Sequence, residues 1–289
     1  MSSDLTVAPI RDEDLDAVCA FLREKFRSRC DLATWRFAFT RHWSKEKPNN
    51  GFMLRAGGEI VGVLGAIYSD QRIGGRVEKF CNMTSWYVVD EHRSRGLLLM
   101  VALIRQEGLT FTNLSASPAV EEILTRMGFT PLARDIVSVA NVALPFRLPS
   151  RVRLLDDADA VARVLPPERA QICRDHKDCR ISQVAIGSDE DGYCHVMFSR
   201  CGCRRTPCVI VHDLASPQLL ARFWTHFAAY ALYRTGALVT RIETRLLEGA
   251  RWPLAIAMKS RSGALFLSRT VGADAISRRY TEAMNLTGC

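Results

Sequence analysis

The stretch "WYVVDEHRSRGLLL", residues 86–99, decides how the rest of the chain is read. An apolar run with strand character ends at "DEHR", and Gly96 stands before a block of leucines with helix character. A short loop between a strand and a helix presents unpaired backbone N–H groups and the positive end of the helix dipole, which together bind phosphate. Arg93 and Arg95 add charge-assisted donors, Ser94 adds a hydroxyl, and Gly96 lets the backbone approach an anion. The stretch is neither a P-loop nor a G-x-G-x-x-G dinucleotide fingerprint. An ordinary helix start with solvent-facing arginines fits these residues equally well, so the surrounding sequence has to decide.

Upstream, "RVEKFCNMTSWYVV" (76–89) reads as one long strand. "FMLRA" and "EIVGVLGAIY" read as two more, with a hairpin at "AGGE" and a turn at "IGG" (73–75). Leu5, Val7 and Ile10 mark a first strand. Leu15, Val18, Cys19, Leu22 and Phe26 then share one helical face. A second helix opens at Asp31, with Leu32, Trp35, Phe39 and Trp43 in one stripe packed on the core. Downstream, "LLLMVALIRQEGL" is a helix, "TFTNLSA" a strand, and "SPAVEEILTRM" a helix ended by Gly128. "PLARDIVSVANV" supplies the last strand. The order β-α-α-β-β-β-α-β-α-β predicts a mixed α+β fold rather than a bundle or an all-β barrel.

This order and the opening stretch together resemble the GNAT acetyltransferase superfamily. Its pyrophosphate-binding segment is a strand, then R/Q-x-x-G-x-G/A, then a helix. Arg93 and Gly96 fill the first two signature positions, and Leu98 stands where a second small residue is expected. "TFTNLSASPAVEEILTRMGF" is similar to the family's next strand and helix, ending in Gly128-Phe129. The likeness covers roughly residues 4–142.

The resemblance implies acetyl-CoA or another acyl-CoA as co-substrate. Its pyrophosphate would sit on the amides of Arg93, Ser94, Arg95, Gly96, Leu97 and Leu98. Its pantetheine arm would run beside the backbone of Tyr87, Val88 and Val89, between splayed strands "SWYVV" and "TFTNL". An N–H near Val88 would hold the thioester oxygen as charge develops. Asn113 or Ser117 would reach the cofactor from the other side, Ser117 being equally suited to cap a helix. Glu78 is the candidate base for an attacking amine, against a plain role as a surface strand residue. The family's usual thiolate-protonating tyrosine has Leu124 in its place, which cannot give a proton.

Beyond "ALPFRLPSR", read as a linker, "GYCHVMFSRC", "PCVIVHDLA" and "ALVTRIETRLL" look like strands. Between the last two, a helix runs from Ser216, a candidate cap, to Gly236. This repeats the order of 60–116 and predicts a diverged duplicate, giving domains 1–145 and 151–289. Residues 173–212 hold six cysteines and three histidines, yet no C-x-x-C pair, so packing is preferred to a metal site. His212-Asp213 ends a strand where the first half carries its loop, but without an arginine-glycine pair.

The net charge of +8 is spread along 289 residues without a basic block, which favours a solvated basic surface over a nucleic-acid face. No apolar run approaches the ~20 residues of a membrane span, and no leader is evident, so a cytoplasmic protein with reduced thiols is expected. The expectation is a two-module acyltransferase acting on an amine or sugar-like small-molecule acceptor, and compatible with a homodimer. The alternatives are an inactive acyl-CoA-binding or interaction protein and a zinc-stabilised nucleic-acid binder.

Overall fold

β1 (Leu5–Pro9), α1 (Leu15–Lys25) and α2 (Leu32–Thr40) lead into a run of antiparallel strands: β2 (Gly51–Ala56), β3 (Glu59–Ile73) and β4 (Arg76–Val88). Then follow α3 (Leu97–Ile104), β5 (Thr110–Ala116), α4 (Pro118–Arg126) and a two-residue β6 (Thr130–Pro131). This computed structural model describes residues 4–142, 151–201, 206–250, 252, 255–260 and 262–286.

The turns are where the sequence places them. Gly57 (φ +58°) and Gly58 (φ +90°) close the β2–β3 hairpin, and Gly74 (φ +56°) and Gly75 (φ +82°) close β3–β4, all in conformations that favour glycine. Asp31 accepts the Thr34 N–H at 2.8 Å and caps α2. That helix stops at Thr40, so Trp43 leaves the stripe and bridges instead to Ser69, while Leu32 is largely exposed. α1 and α2 bury Leu15, Val18, Leu22, Trp35 and Phe39 against Met53 and Val63 of the sheet. On the other face Leu99, Leu103 and Leu124 pack with Leu64, Tyr68, Met83 and Phe111. Each such side chain contributes roughly 1.5–3 kcal/mol on burial.

The chain continues with β7 (Asp135–Ala140), β8 (Arg153–Leu155), α5 (Ala158–Val164), α6 (Pro167–Asp175), β9 (Ser182–Ser188), β10 (Gly192–Cys201) and β11 (Cys208–Leu214). α7 (Pro217–Arg222), α8 (Trp224–Thr235), β12 (Val239–Glu243), β13 (Ala255–Lys259) and β14 (Gly263–Leu267) complete it. The helix expected from Ser216 is therefore two helices. The Ser216 side chain makes no cap hydrogen bond, whereas Gly236 ends α8 in the left-handed region at φ +69°.

Two seven-stranded sheets result, ordered β1-β2-β3-β4-β5-β14-β6 and β8-β9-β10-β11-β12-β7-β13. In each, a strand, two helices, three antiparallel strands, a helical connection and a parallel strand follow one another, so the duplication read from the sequence is visible as topology. One strand departs from the sequence reading, and another is absent from it. β7, expected to close the first module, pairs with β12 and β13 in the second sheet. β14 returns to the first sheet between β5 and β6. One compact unit accordingly combines the chain up to Leu132 with the segment from Ser262, and the other runs from Ala133 to Arg261, rather than 1–145 and 151–289. Most of the "ALPFRLPSR" linker lies outside the described residues.

Cys30 is disulfide-bonded, contrary to the expectation of reduced thiols throughout. Cys19, Cys81, Cys173 and Cys194 are buried thiols whose pKa values burial raises, Cys19 and Cys173 to about 11 and Cys194 to about 12. Among the described residues, no three histidine, cysteine or acidic side chains come together as a metal site. None of the described helices is long and apolar enough to cross a membrane.

Candidate functional site

β4 and β5 run parallel and pair only from Phe80↔Thr110 to Asn82↔Thr112. Past that point they part. The cause lies in β4, where Thr84 faces Gly65 and Tyr87 faces Val63, so one extra residue is accommodated opposite β3. Ser85 takes it up with φ +53°, a conformation rare for a residue with a side chain. Such a bulge bends its strand and strengthens its twist.

The gap is a cleft of about 610 Å³. Met83, Thr84, Ser85 and Trp86 line it from β4; Asn113, Ser115 and Ala116 from β5; and Ser117 and Val120 from the start of α4. The α1–α2 connection contributes Phe26 to Arg29, and the C-terminal segment contributes Glu282 and Leu286. Of the lining residues, Arg27, Arg29 and Glu282 carry charge.

The backbone at the end of β4 has an open edge. Val89 donates to the Val61 carbonyl at 2.9 Å, which makes Val88–Gly62 the non-hydrogen-bonded pair of the antiparallel ladder. The N–H and C=O of Val88 therefore point away from β3, towards the side where pairing with β5 has already ended. Tyr87 turns its ring to α1 and meets Phe21 and Phe26 edge-on at 6.0 and 5.6 Å.

The motif itself is tighter than the sequence implies. Asp90–Arg95 form a 3-10 turn that runs through Gly96 directly into α3. Gly96 donates its N–H to the Arg93 carbonyl at 3.1 Å, so this amide is used within the turn. Its φ of −57° is ordinary for any residue, and what glycine offers here is space. A Cβ would lie 3.2 Å from both Val88 Cγ2 and the Arg93 carbonyl oxygen. Gly96 thus lets the helix start lie close to β4. Arg93 pairs with Asp90, and Ser94, Arg95, Leu97 and Leu98 are exposed. Asp90 and Glu91 already place negative charge at the first turn of this helical run.

Asn113 and Ser117 both line the cleft. Asn113 Oδ1 accepts the Ser115 N–H at 3.3 Å, and Ser117 Oγ accepts the Val120 N–H at 3.4 Å, so Ser117 also caps α4. Leu124 is fully buried among α3 and β-sheet side chains. Glu78 is not part of this arrangement. It lies before the paired stretch of β4, accepts a 2.9 Å hydrogen bond from the Thr270 hydroxyl, and lines a separate hollow with Arg105 and Arg269. The carboxylate that does enter the cleft is Glu282, which no motif in the sequence marks. Its oxygens accept from Asn82 Nδ2 at 2.6 Å and Ser115 Oγ at 2.8 Å.

The second unit carries a similar parting of parallel strands. β11 pairs in parallel with β12 only from Cys208 to Ile210, and a bulge at His212 interrupts its pairing with β10. His212 shares a 2.8 Å hydrogen bond with Ser199, and Asp213 is buried in an ion pair with Arg169.

Neither a family model nor a curated protein matches the sequence. Solved structures do match. A GCN5-related N-acetyltransferase from Anabaena variabilis is similar with a TM-score of 0.62 at 11% identity, over 91% of this chain and 72% of that one. One from Kribbella flavida gives 0.58 at 17% identity, over 92% and 71%. A tandem GNAT protein from the clavulanic acid biosynthesis pathway gives 0.56 at 12% identity, over 91% and 97%. The chain has the fold of the GCN5-related N-acetyltransferases. It has it twice, as two modules in tandem, the first with an open cleft at its parted strands.

Proposed function

We propose that the protein is a CoA-dependent acyltransferase, moving an acetyl or longer acyl group from acyl-CoA to an amine or sugar-like acceptor. The observation that carries this is the parting of β4 and β5 beyond Asn82↔Thr112 with the polar backbone of Val88 directed to the open side. An extended arm of amide groups, such as pantetheine, fits an unpaired strand edge because each amide can take the place of a missing strand residue. The Val88 N–H then meets the thioester oxygen, and Asn113 faces the arm from β5. Arg93 and Arg95 supply charge for the diphosphate at the helix start, with Ser94, Leu97 and Leu98 beside it. The acceptor nucleophile attacks the thioester carbon, the C–S bond breaks, and CoA leaves as the thiolate.

Calorimetric titration with acetyl-CoA, followed by thiol release with an acceptor, tests the reading. Saturable heat together with acceptor-dependent thiol release is the expected result, and no heat with acetyl-CoA or CoA defeats it. A second reading, an acyl-CoA binder without activity, is favoured by Leu124. Its burial leaves no proton donor at that position for the thiolate. Heat with acetyl-CoA but no thiol release is its signature.

A further inference from the structure

A second hollow lies at the other end of β5 from the parted strands. β5 begins at Thr110, opposite Phe80 of β4, and on its other side Phe111 faces Leu267 of β14. Beyond these pairs, β4 and the segment after β14 flank the turn that leads from α3 into β5. The space between them is about 630 Å³, within the ~300–1,000 Å³ of small-molecule sites. Ile104, Leu109, Phe111 and Leu267 give it an apolar lining. Glu78 from β4, Arg105 and Glu107 from the turn, and Arg269 after β14 bring charge to it.

The walls are fixed by their own hydrogen bonds. Ser268 Oγ accepts the N–H of Thr270 at 3.2 Å and of Val271 at 2.9 Å, and it bonds the Thr110 hydroxyl at 2.7 Å. The Thr270 hydroxyl donates to Glu78 Oε2 at 2.9 Å, and Glu78 Oε1 has no protein donor among the described residues. Nor does any of the four charged groups form an ion pair among those residues. Exposed pairs contribute only about 0–1 kcal/mol, so opposite charges in one hollow need not close on each other.

These features select a ligand by its charge. A plain anion meets Glu78 and Glu107 as well as the arginines, and a plain cation meets Arg105 and Arg269 as well as the carboxylates. An uncharged apolar molecule leaves all four without a partner. A molecule with one charge of each sign and an apolar body satisfies the rim and the lining together. We infer that this hollow binds a free α-amino acid with an apolar side chain. The ligand carboxylate accepts from the Arg105 and Arg269 guanidinium groups, its ammonium donates to Glu78 and Glu107, and its side chain rests on Phe111 and Leu267. The site is separate from the cleft at the parted strands and does not rest on the acyl-CoA reading.

Calorimetric titration of the full chain with L-leucine, L-methionine and L-phenylalanine tests this. Saturable heat with at least one is expected. The N-acetyl and the carboxamide derivatives of that amino acid each lose one charge and should bind about tenfold more weakly or worse. Arg269→Ala and Glu78→Gln should weaken the free amino acid by a similar factor, with urea midpoints confirming that both variants fold. Glu282→Gln, in the distant cleft, should leave its affinity within about twofold. Absence of heat with all three amino acids overturns the inference. So does equal binding of the capped derivatives, which would mean that the two charges are not read. Wild-type affinity in the Arg269 and Glu78 variants, or loss of binding in Glu282→Gln, places the ligand elsewhere and also overturns it. If Arg269→Ala does not fold, Glu78→Gln decides alone.

Discussion

Asn82 and Glu282 are separated by 200 residues in the chain and by 2.6 Å between Nδ2 and Oε2. Asn82 is also the last β4 residue paired with β5, and its Oδ1 accepts from the Thr112 hydroxyl at 3.1 Å. One buried amide thus ties the end of the parallel pairing to the C-terminal segment. Asn82→Leu removes both bonds and leaves their partners unmet, so stability should fall by about 1–3 kcal/mol in urea denaturation. Amides of residues 282–286 should exchange faster in the variant. Unchanged exchange there would show that the tie does not hold the segment.

The close approach of α3 to β4 predicts a graded response at Gly96. Alanine keeps the helical φ and needs a shift of a few tenths of an ångström by Val88. Valine adds two methyl groups to a space that has none. Gly96→Val should destabilise by about 1–3 kcal/mol, the usual range for overpacking, and Gly96→Ala by less. Equal midpoints for the two variants in urea would contradict the packing account.

Arg93 separates stability from binding. Its pair with Asp90 is exposed on both sides, and such pairs contribute about 0–1 kcal/mol. Arg93→Ala should leave the melting midpoint almost unchanged, while affinity for acetyl-CoA falls about tenfold and loses part of its salt dependence. Titrations at two ionic strengths read both effects.

His42 sets an acid limit on stability. Burial depresses its pKa to about 4 from 6.5. Its Nδ1 accepts the Tyr68 N–H at 3.1 Å, and Nε2 lies 3.0 Å from Asn50 Oδ1, an arrangement that suits the neutral ring. The unfolded chain takes a proton near pH 6.5 and the folded protein only near pH 4. The contribution is therefore complete above pH 6.5 and is lost as the pH falls towards 4, up to roughly 3 kcal/mol. His42→Gln preserves an acceptor for Tyr68 and should flatten this part of the profile. The difference between wild type and variant in urea midpoints at pH 7 and pH 4.5 is the readout, since carboxylates titrate in both.

The exchange of β7 and β14 between sheets predicts the fate of a fragment. Residues 1–145 contain β7 without its partners and lack β14, leaving the outer edge of β5 bare. Exposed strand edges invite association. This fragment should melt without cooperativity and elute as aggregates in size-exclusion chromatography. A monomeric, cooperative fragment would mean that β14 is dispensable to the first sheet.

These features divide by how local their cause is. The glycine turns at 57–58 and 74–75, the Asp31 and Ser117 caps and the strand from Arg76 were legible because backbone conformation and hydrogen-bond satisfaction act within a few residues. The parting of β4 and β5 was implied only by resemblance, since the Ser85 bulge has no glycine or proline to announce it. The destination of β7 and the return of β14 were illegible, because "DIVSVA" and "GALFL" suit any half-buried edge and pairing is settled by distant partners. Glu78 sits on the right strand, yet it lies before the stretch where β4 pairs with β5 and the strands then part. Glu282 entered the cleft through the same long-range return that brought β14 back.

That return also orders events during synthesis. Translation proceeds from the N-terminus, and β14 follows every strand of the second sheet. When the last strand of the second unit leaves the ribosome, the first still has an empty lane between β5 and β6. The earlier-begun half is thus completed later, and its cleft acquires Glu282 only after every strand of the second unit has been made.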